Sequence, residues 1–166
     1  MSADLVIRPA TDADLQGLID IYNHYVTGSQ CTFDTAPFDL STRQPWWEQF
    51  NGKRHQCWLA SNREQVVGYA CTGTFKTKPA YDTSVEISVY VAPGSEGRGI
   101  GRRLYEVLLP QLAQHGVHRV YAGIALPNDA SIRLHEKFGF QQAAHFTEVG
   151  YKFERYWDVV WLQLPI

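Results

Sequence analysis

VEISVYVAPGSEGRGIG, residues 85–101, decides how the rest of the chain is read. Val85 to Val91 is an apolar, β-branched run that reads as a buried strand. A glycine-rich turn follows, and after Gly99 the chain enters an amphipathic helix with Leu104, Val107, Leu108 and Leu112 on one face. A strand feeding a helix through glycines presents a row of backbone N–H groups and the positive end of a helix dipole. That is a seat for a phosphate-bearing ligand. Two phosphate templates fail. A P-loop ends in Gly-Lys-Ser/Thr, which is absent here, and the dinucleotide fingerprint needs G-x-G-x-x-G, whereas these glycines run G-x-G-x-G. Around Arg119 to Gly123, where the fingerprint's ribose-binding acid belongs, there is no carboxylate.

Working outward, Asp4 to Arg8 reads as a short strand. Thr11 with Asp14 resembles a capping box ahead of a helix that buries Leu15, Leu18, Ile19 and Tyr22. A loop over residues 27–37 leads to a second helix at 41–50. Strands are expected at 57–60 and 65–75 around a turn at 61–64, and again at 83–91 and 118–124. Pro110 is expected to kink its helix or leave a backbone acceptor free, and Gly116 to stop it. A short helix spans 129–137, and two last strands are expected at 140–149 and 157–164. Strands and helices mix in one domain over residues 1–166, of α/β or mixed α+β class.

Composition narrows the function. In 166 residues the net charge is -2, which excludes a general nucleic-acid binder. Cys31, Cys57 and Cys71 lack CxxC spacing, so neither a disulfide framework nor a zinc site is indicated, and they read as small core residues on strands. Acids occupy the N-terminal stretch where a secretory signal needs an apolar run, and no apolar stretch is long enough for a bilayer. The expected compartment is the cytoplasm, with no membrane partner.

Gly99 and Gly101 match the pyrophosphate loop of the GNAT superfamily of N-acetyltransferases, [Gln/Arg]-x-x-Gly-x-[Gly/Ala]. Asn128 followed by a helix ending in His135-Glu-Lys-Phe-Gly139-Phe140 matches its second signature. IRPAT at 7–11, NHY at 23–25, FKTKPAYD at 75–82, LPND at 126–129 and the closing WDVVWLQL resemble the phosphinothricin and methionine sulfoximine acetyltransferases, so the likeness covers nearly the whole chain. It implies a twisted mixed sheet of about seven strands, flanked by about four helices, with two central strands splayed around the cofactor. It also implies acetyl-CoA as co-substrate, no metal, a small-molecule amine substrate and a homodimer. Trp157 and Trp161, taken as exposed aromatics, are compatible with that dimer.

Chemistry assigns roles within the resemblance. Amides of Gly97, Arg98, Gly99, Ile100, Gly101 and Arg102 suit the pyrophosphate, with glycine at 99 and 101 letting the backbone approach closely. The free edge of Val89, Tyr90 and Val91 suits the pantetheine amides, and an N–H near Val89 or Tyr90 suits the thioester oxygen. Asn128 and Ser131 are expected at the cofactor, Asn128 doubling as a helix cap. Glu86, buried on its strand, is the expected base acting through water, and His135 the expected acid for the leaving thiolate. Phe75, Lys76, Thr77, Tyr81 and Phe33 are expected to receive the substrate, with Tyr25 as a further wall. Glu96 stands where the family carries Gln or Arg, and is expected to face solvent or pair with an arginine. Acetylation of protein N-termini or another amine, and a non-catalytic acyl-CoA-binding module, are the alternative readings.

Overall fold

The computed structural model describes residues 5–63 and 65–166; Asp4, expected in the first strand, and Glu64, expected in a turn, lie outside them. Seven strands form one sheet in the order β1-β2-β3-β4-β5-β7-β6. These are β1 (Leu5–Pro9), β2 (Cys57–Asn62), β3 (Gln65–Thr74), β4 (Ser84–Val91), β5 (Arg119–Ala125), β6 (Gln141–Lys152) and β7 (Arg155–Pro165). Helices α1 (Leu15–Gly28) and α2 (Leu40–Glu48) cover one face, α3 (Ile100–Gln114) and α4 (Asp129–Lys137) the other. The result is a mixed α/β sandwich of three layers.

Each layer follows from side-chain spacing. On α3, Leu104, Leu108 and Leu112 are fully buried against Val85, Ile87 and Val120 of the sheet, each contributing about 2 kcal/mol by burial. Tyr105 and Leu109 join them, while Val107, expected on that face, is only half-buried. Leu18 and Ile21 of α1 pack on Leu59, Tyr69 and Cys71 of the opposite sheet face. The helix runs through Pro110, which lies on the exposed side, where the carbonyl left free at Glu106 faces water.

Of the neighbouring strand pairs, only β4 and β5 run parallel, and α3 is the crossover between them. Their pairing is short: Ser84 with Arg119, Val85 with Val120, Glu86 with Tyr121. Beyond Glu86 the two strands part. Ala92 N–H donates to Val67 O at 2.8 Å, which places the alternate residues Val91, Val89 and Ile87 with their backbone groups turned away from β3, toward the gap.

The last hairpin is longer than expected. β6 and β7 pair out to Lys152 and Arg155, and Phe153 and Glu154 close the turn in the left-handed region with φ of 54° and 58°. Neither is glycine, which is why no turn shows there in the sequence. The tryptophans of β7 are covered by side chains on its faces: Phe75 packs edge-on to Trp161, and the Arg155 guanidinium lies 4.0 Å over the Trp157 ring. Trp161 lies over Gly123, where an added Cβ would come within 3.0 Å of the indole. Trp157 donates to Lys152 O at 2.8 Å. Both are half-buried, contrary to expectation, and the exposed aromatics of the hairpin are Phe146, Tyr151, Phe153 and Tyr156. Cys57 and Cys71 are buried strand residues as expected, but Cys31 sits half-buried in the α1–α2 loop.

At the N-terminal edge, the Asp14 carboxylate accepts two 2.7 Å bonds from the Arg8 guanidinium and one from Thr11 N–H at 2.8 Å. The Thr11 hydroxyl also donates to it, so the box closes on the carboxylate. The Arg8 hydrogen bonds hold the Asp14 carboxyl down at about 2. A carboxylate depressed in the folded state adds stability present above the ordinary carboxylate range, and that stability drains away as pH falls from about 4 through about 2. Asp14→Asn should therefore cost about 1–2 kcal/mol at neutral pH, allowing for the partial exposure of Arg8. Thermal melts of the two proteins should converge on acidification; a gap that persists at the lowest pH contradicts this assignment.

Candidate active site

Where β4 and β5 part, a cleft of about 620 Å³ opens between them, floored by α3 and α4. Residues expected at the cofactor gather there: Val89–Val91, Gly97, Gly99–Arg102, Asn128 and Ser131 all line it, and so does His135. Arg98 is the exception, exposed on the turn outside the lining. Backbone groups at Val89 and Val91 point into the gap, whereas those of Tyr90 bond to β3, so the donor expected near Val89 or Tyr90 is Val89 N–H. Val91 O already accepts the Tyr25 hydroxyl at 2.6 Å, leaving Tyr25 as one wall of the cleft.

Glycines of the turn have separate reasons. Gly97 and Gly99 sit at φ 73° and 74°, and Gly99 is the cap residue opening α3 without a side-chain cap. The first amides of α3 are left without helical acceptors and face the cleft mouth. Gly101 has an ordinary helical backbone. Its missing Cβ makes room for Leu134 of α4, whose Cδ2 would lie 3.0 Å away. Beside the close ligand approach expected at both glycines, Gly99 is thus called for by its left-handed backbone and Gly101 by Leu134. Arg102 pairs with Glu106 at 2.8 Å, and Arg103 reaches Leu5 O, so both side chains are engaged within the fold. Glu96 is exposed, as expected, and is near enough to Tyr25 to push that phenol's pKa up further.

Glu86 occupies the last paired position before the fork, on the α1–α2 face of the sheet, half-buried and outside the cleft lining. Burial raises its pKa, and the Lys76 ammonium opposes the rise. Phe75 stacks on Tyr121, the partner of Glu86, with centroids 4.2 Å apart, and Tyr81 packs edge-on to Phe75. Lys76 is thus near Glu86, Phe75 lies on the strand partner of Glu86, and Tyr81 is joined to them through Phe75. Thr77 lies exposed in the following turn, and Phe33 lies elsewhere, in the α1–α2 loop against Gly150 of β6.

Asn128 caps α4, its Oδ1 accepting Ser131 N–H at 3.2 Å, while its Nδ2 lies 3.5 Å from Cys31 Sγ. His135 is 2% exposed. Its Nδ1 is 2.7 Å from Ser131 O, which can only accept, so the ring proton sits on Nδ1. Nε2 then accepts from the Tyr105 hydroxyl at 2.8 Å. Burial holds the imidazole pKa below its usual 6.5. An acid for the thiolate needs a proton free to leave, and neither ring nitrogen offers one at rest. Tyr105, Cys31 and Arg43 carried no local signal in the sequence. Arg43 is buried, with its guanidinium carbon 4.1 Å from the ring centroids of both Tyr22 and Trp46. Among the described residues no cluster could hold a metal ion, and no helix is long and apolar enough to cross a membrane.

A splayed parallel pair, a glycine-opened helix and free strand-edge donors define an acetyl-CoA-dependent N-acetyltransferase, and residues 18–140 match the model of the acetyltransferase (GNAT) family, to which the chain belongs. It is 46% identical to the phosphinothricin N-acetyltransferase of Streptomyces coelicolor, across 99% of this chain and 98% of that one. It is 34% identical to the L-methionine sulfoximine/L-methionine sulfone acetyltransferase of Salmonella typhimurium, across 98% and 95%. An acetyltransferase structure from Salmonella typhimurium with its cofactor acetyl-CoA superposes with TM-score 0.92 at 34% identity, covering 97% of this chain and 93% of that one.

Nitrogen-15 NMR of the His135 ring should show a neutral imidazole protonated at Nδ1 at pH 6.5. A ring at least half protonated there contradicts the burial argument.

Proposed function

We propose that this enzyme acetylates the primary amine of a small amino-acid-like substrate of the phosphinothricin, methionine sulfoximine or methionine sulfone type, by direct transfer in a ternary complex. The observation that carries the reading is the half-buried carboxylate of Glu86 at the last paired position of the fork, on the strand whose Val89 N–H is turned into the gap. Acetyl-CoA, when bound, supplies a thioester whose carbonyl carbon is attacked by the amine nitrogen, the C–N bond forming as the C–S bond breaks.

The residues present fit that molecule. The backbone groups of Val89 and the N–H of Val91, turned away from β3, match the amides of an extended arm, as a strand would. The N-terminal amides of α3, preset by Gly97 and Gly99, match a diphosphate. Val89 N–H, turned into the gap, suits the negative charge that would grow on the carbonyl oxygen. Glu86, its pKa raised by burial, takes a proton from the incoming ammonium through water. His135, neutral at rest, takes part with Tyr105 as a hydrogen-bonded support of the cleft wall. The proton for the thiolate then comes from water, since a thiol's ordinary pKa of about 8.5 makes it a fair leaving group near neutrality.

Lys76, beside Glu86, and the aromatic group of Phe75 and Tyr81 support an acceptor with an acidic end and an apolar middle. Phe33, seated against Gly150 in the α1–α2 loop, stands apart from this group. Thr77 closes the turn that carries Lys76. The dimer reading is supported by exposed Phe146, Tyr151 and Tyr156 on the last hairpin. Reduced cysteines, free in all three cases, suit the cytoplasm.

A thiol-release assay with acetyl-CoA should show turnover with phosphinothricin, methionine sulfoximine or methionine sulfone. Turnover confined to peptide N-termini would refute the substrate class. Glu86→Gln should lower kcat/KM roughly a hundredfold or more. The loss should be greatest at low pH, where free amine is scarce, and shrink as pH nears the amine's own pKa. A pH profile parallel to that of the unmutated enzyme removes Glu86 from proton transfer.

A further inference from the structure

The loop between α1 and α2 straddles the cleft on the face to which Glu86 points. Gln30 Nε2 donates to Pro127 O at 2.9 Å, and Asn128 Nδ2 contacts Cys31 Sγ at 3.5 Å, so the loop reaches the residues that open α4. On its other side Tyr25 and Cys31 line the cleft. An acceptor arriving from this face passes the loop first.

An ammonium group from a distant strand holds the loop in place. Lys152 of β6 is only 4% exposed. Its Nζ donates to Ser29 O at 2.7 Å and Thr32 O at 2.8 Å, with Tyr25 O at 3.4 Å. Three donors meet three carbonyls, which is what a buried lysine requires. Tyr25 O belongs to the last turn of α1, whose dipole also favours a cation there. Two residues earlier on β6, Gly150 gives Phe33 its place: a Cβ there would fall 2.2 Å from two atoms of the Phe33 ring. From α1, the Tyr22 hydroxyl bonds to Thr32 and to the Asp34 carboxylate, and Asn23 brackets Phe38 through its backbone N–H and C=O, each at 2.8 Å.

We infer that Lys152 is a positioning residue for the amine acceptor. By gripping the carbonyls of Ser29 and Thr32, it holds the loop that carries Cys31 at the cleft and seats Phe33 behind it, against Gly150. The last hairpin, which touches no reacting atom, thereby governs which acceptors fit. This rests on the reading of the cleft as an acetyl-transfer site.

Lys152→Met keeps the apolar stem and removes every donor. The amine KM should rise roughly tenfold or more, because the loop wall shifts, while the Kd for acetyl-CoA measured by calorimetry stays at the wild-type value. Lys152→Arg should recover part of the loss, since its guanidinium still donates. Gly150→Ala displaces Phe33 without touching the ammonium and should show the same split, which decides the matter if Lys152→Met fails to fold. An unchanged amine KM in a folded variant overturns the inference, and so does a parallel rise in KM and in the acetyl-CoA Kd. Absence of turnover with any amine in the unmutated enzyme would instead refute the acetyl-transfer reading.

Discussion

A parallel strand pair that stops pairing after Glu86 is the constraint on which the molecule depends. Backbone N–H groups within a sheet are ordinarily satisfied by the neighbouring strand, and an interior gap leaves them costly. Here β4 keeps its bonds to β3 and loses β5, so the exposed edge is internal to the sheet rather than at its margin. Such an edge welcomes only a ligand that behaves like a strand. A chain of amides threaded beside Val89 and Val91 meets that demand.

The flanking layers are arranged around the same gap. α3 begins at the end of β4 after a turn with glycines in left-handed conformations, so its amide-rich terminus opens at the mouth. α4 packs tightly on α3 because Gly101 yields to Leu134. On the other face, Tyr25 hydrogen-bonds to Val91 O, coupling α1 to the edge strand, while Lys152 couples the end of α1 to the last hairpin. The fork thus has the α3–α4 layer on one face and the α1–α2 layer on the other, with Glu86 at its last paired position on the α1–α2 side.

Local signals were legible in the sequence. The strand, glycine turn and α3 were readable because β-branched residues and positive-φ glycines act within a few residues. The limits of α4 came out as read, since Asn128 caps it through its own side chain. Features set by the sheet order were not legible. Trp157 and Trp161 read as exposed because the side chains that cover them, Arg155 and the distant Phe75, meet them only in the fold, and the hairpin turn at Phe153 and Glu154 lacks glycine. Lys152 and Arg43 are buried charges whose partners lie far along the chain, so no local pattern in the sequence marked them. His135 was found by its motif, but its neutral state depends on Tyr105 and on burial, which only the packing reveals.

Co-crystallisation with acetyl-CoA tests the central claim most directly. The pantetheine arm should run beside Val89–Val91 in the gap between β4 and β5, with the thioester oxygen within hydrogen-bond distance of Val89 N–H. A coenzyme seated on another surface, with that N–H turned to water, would contradict the account.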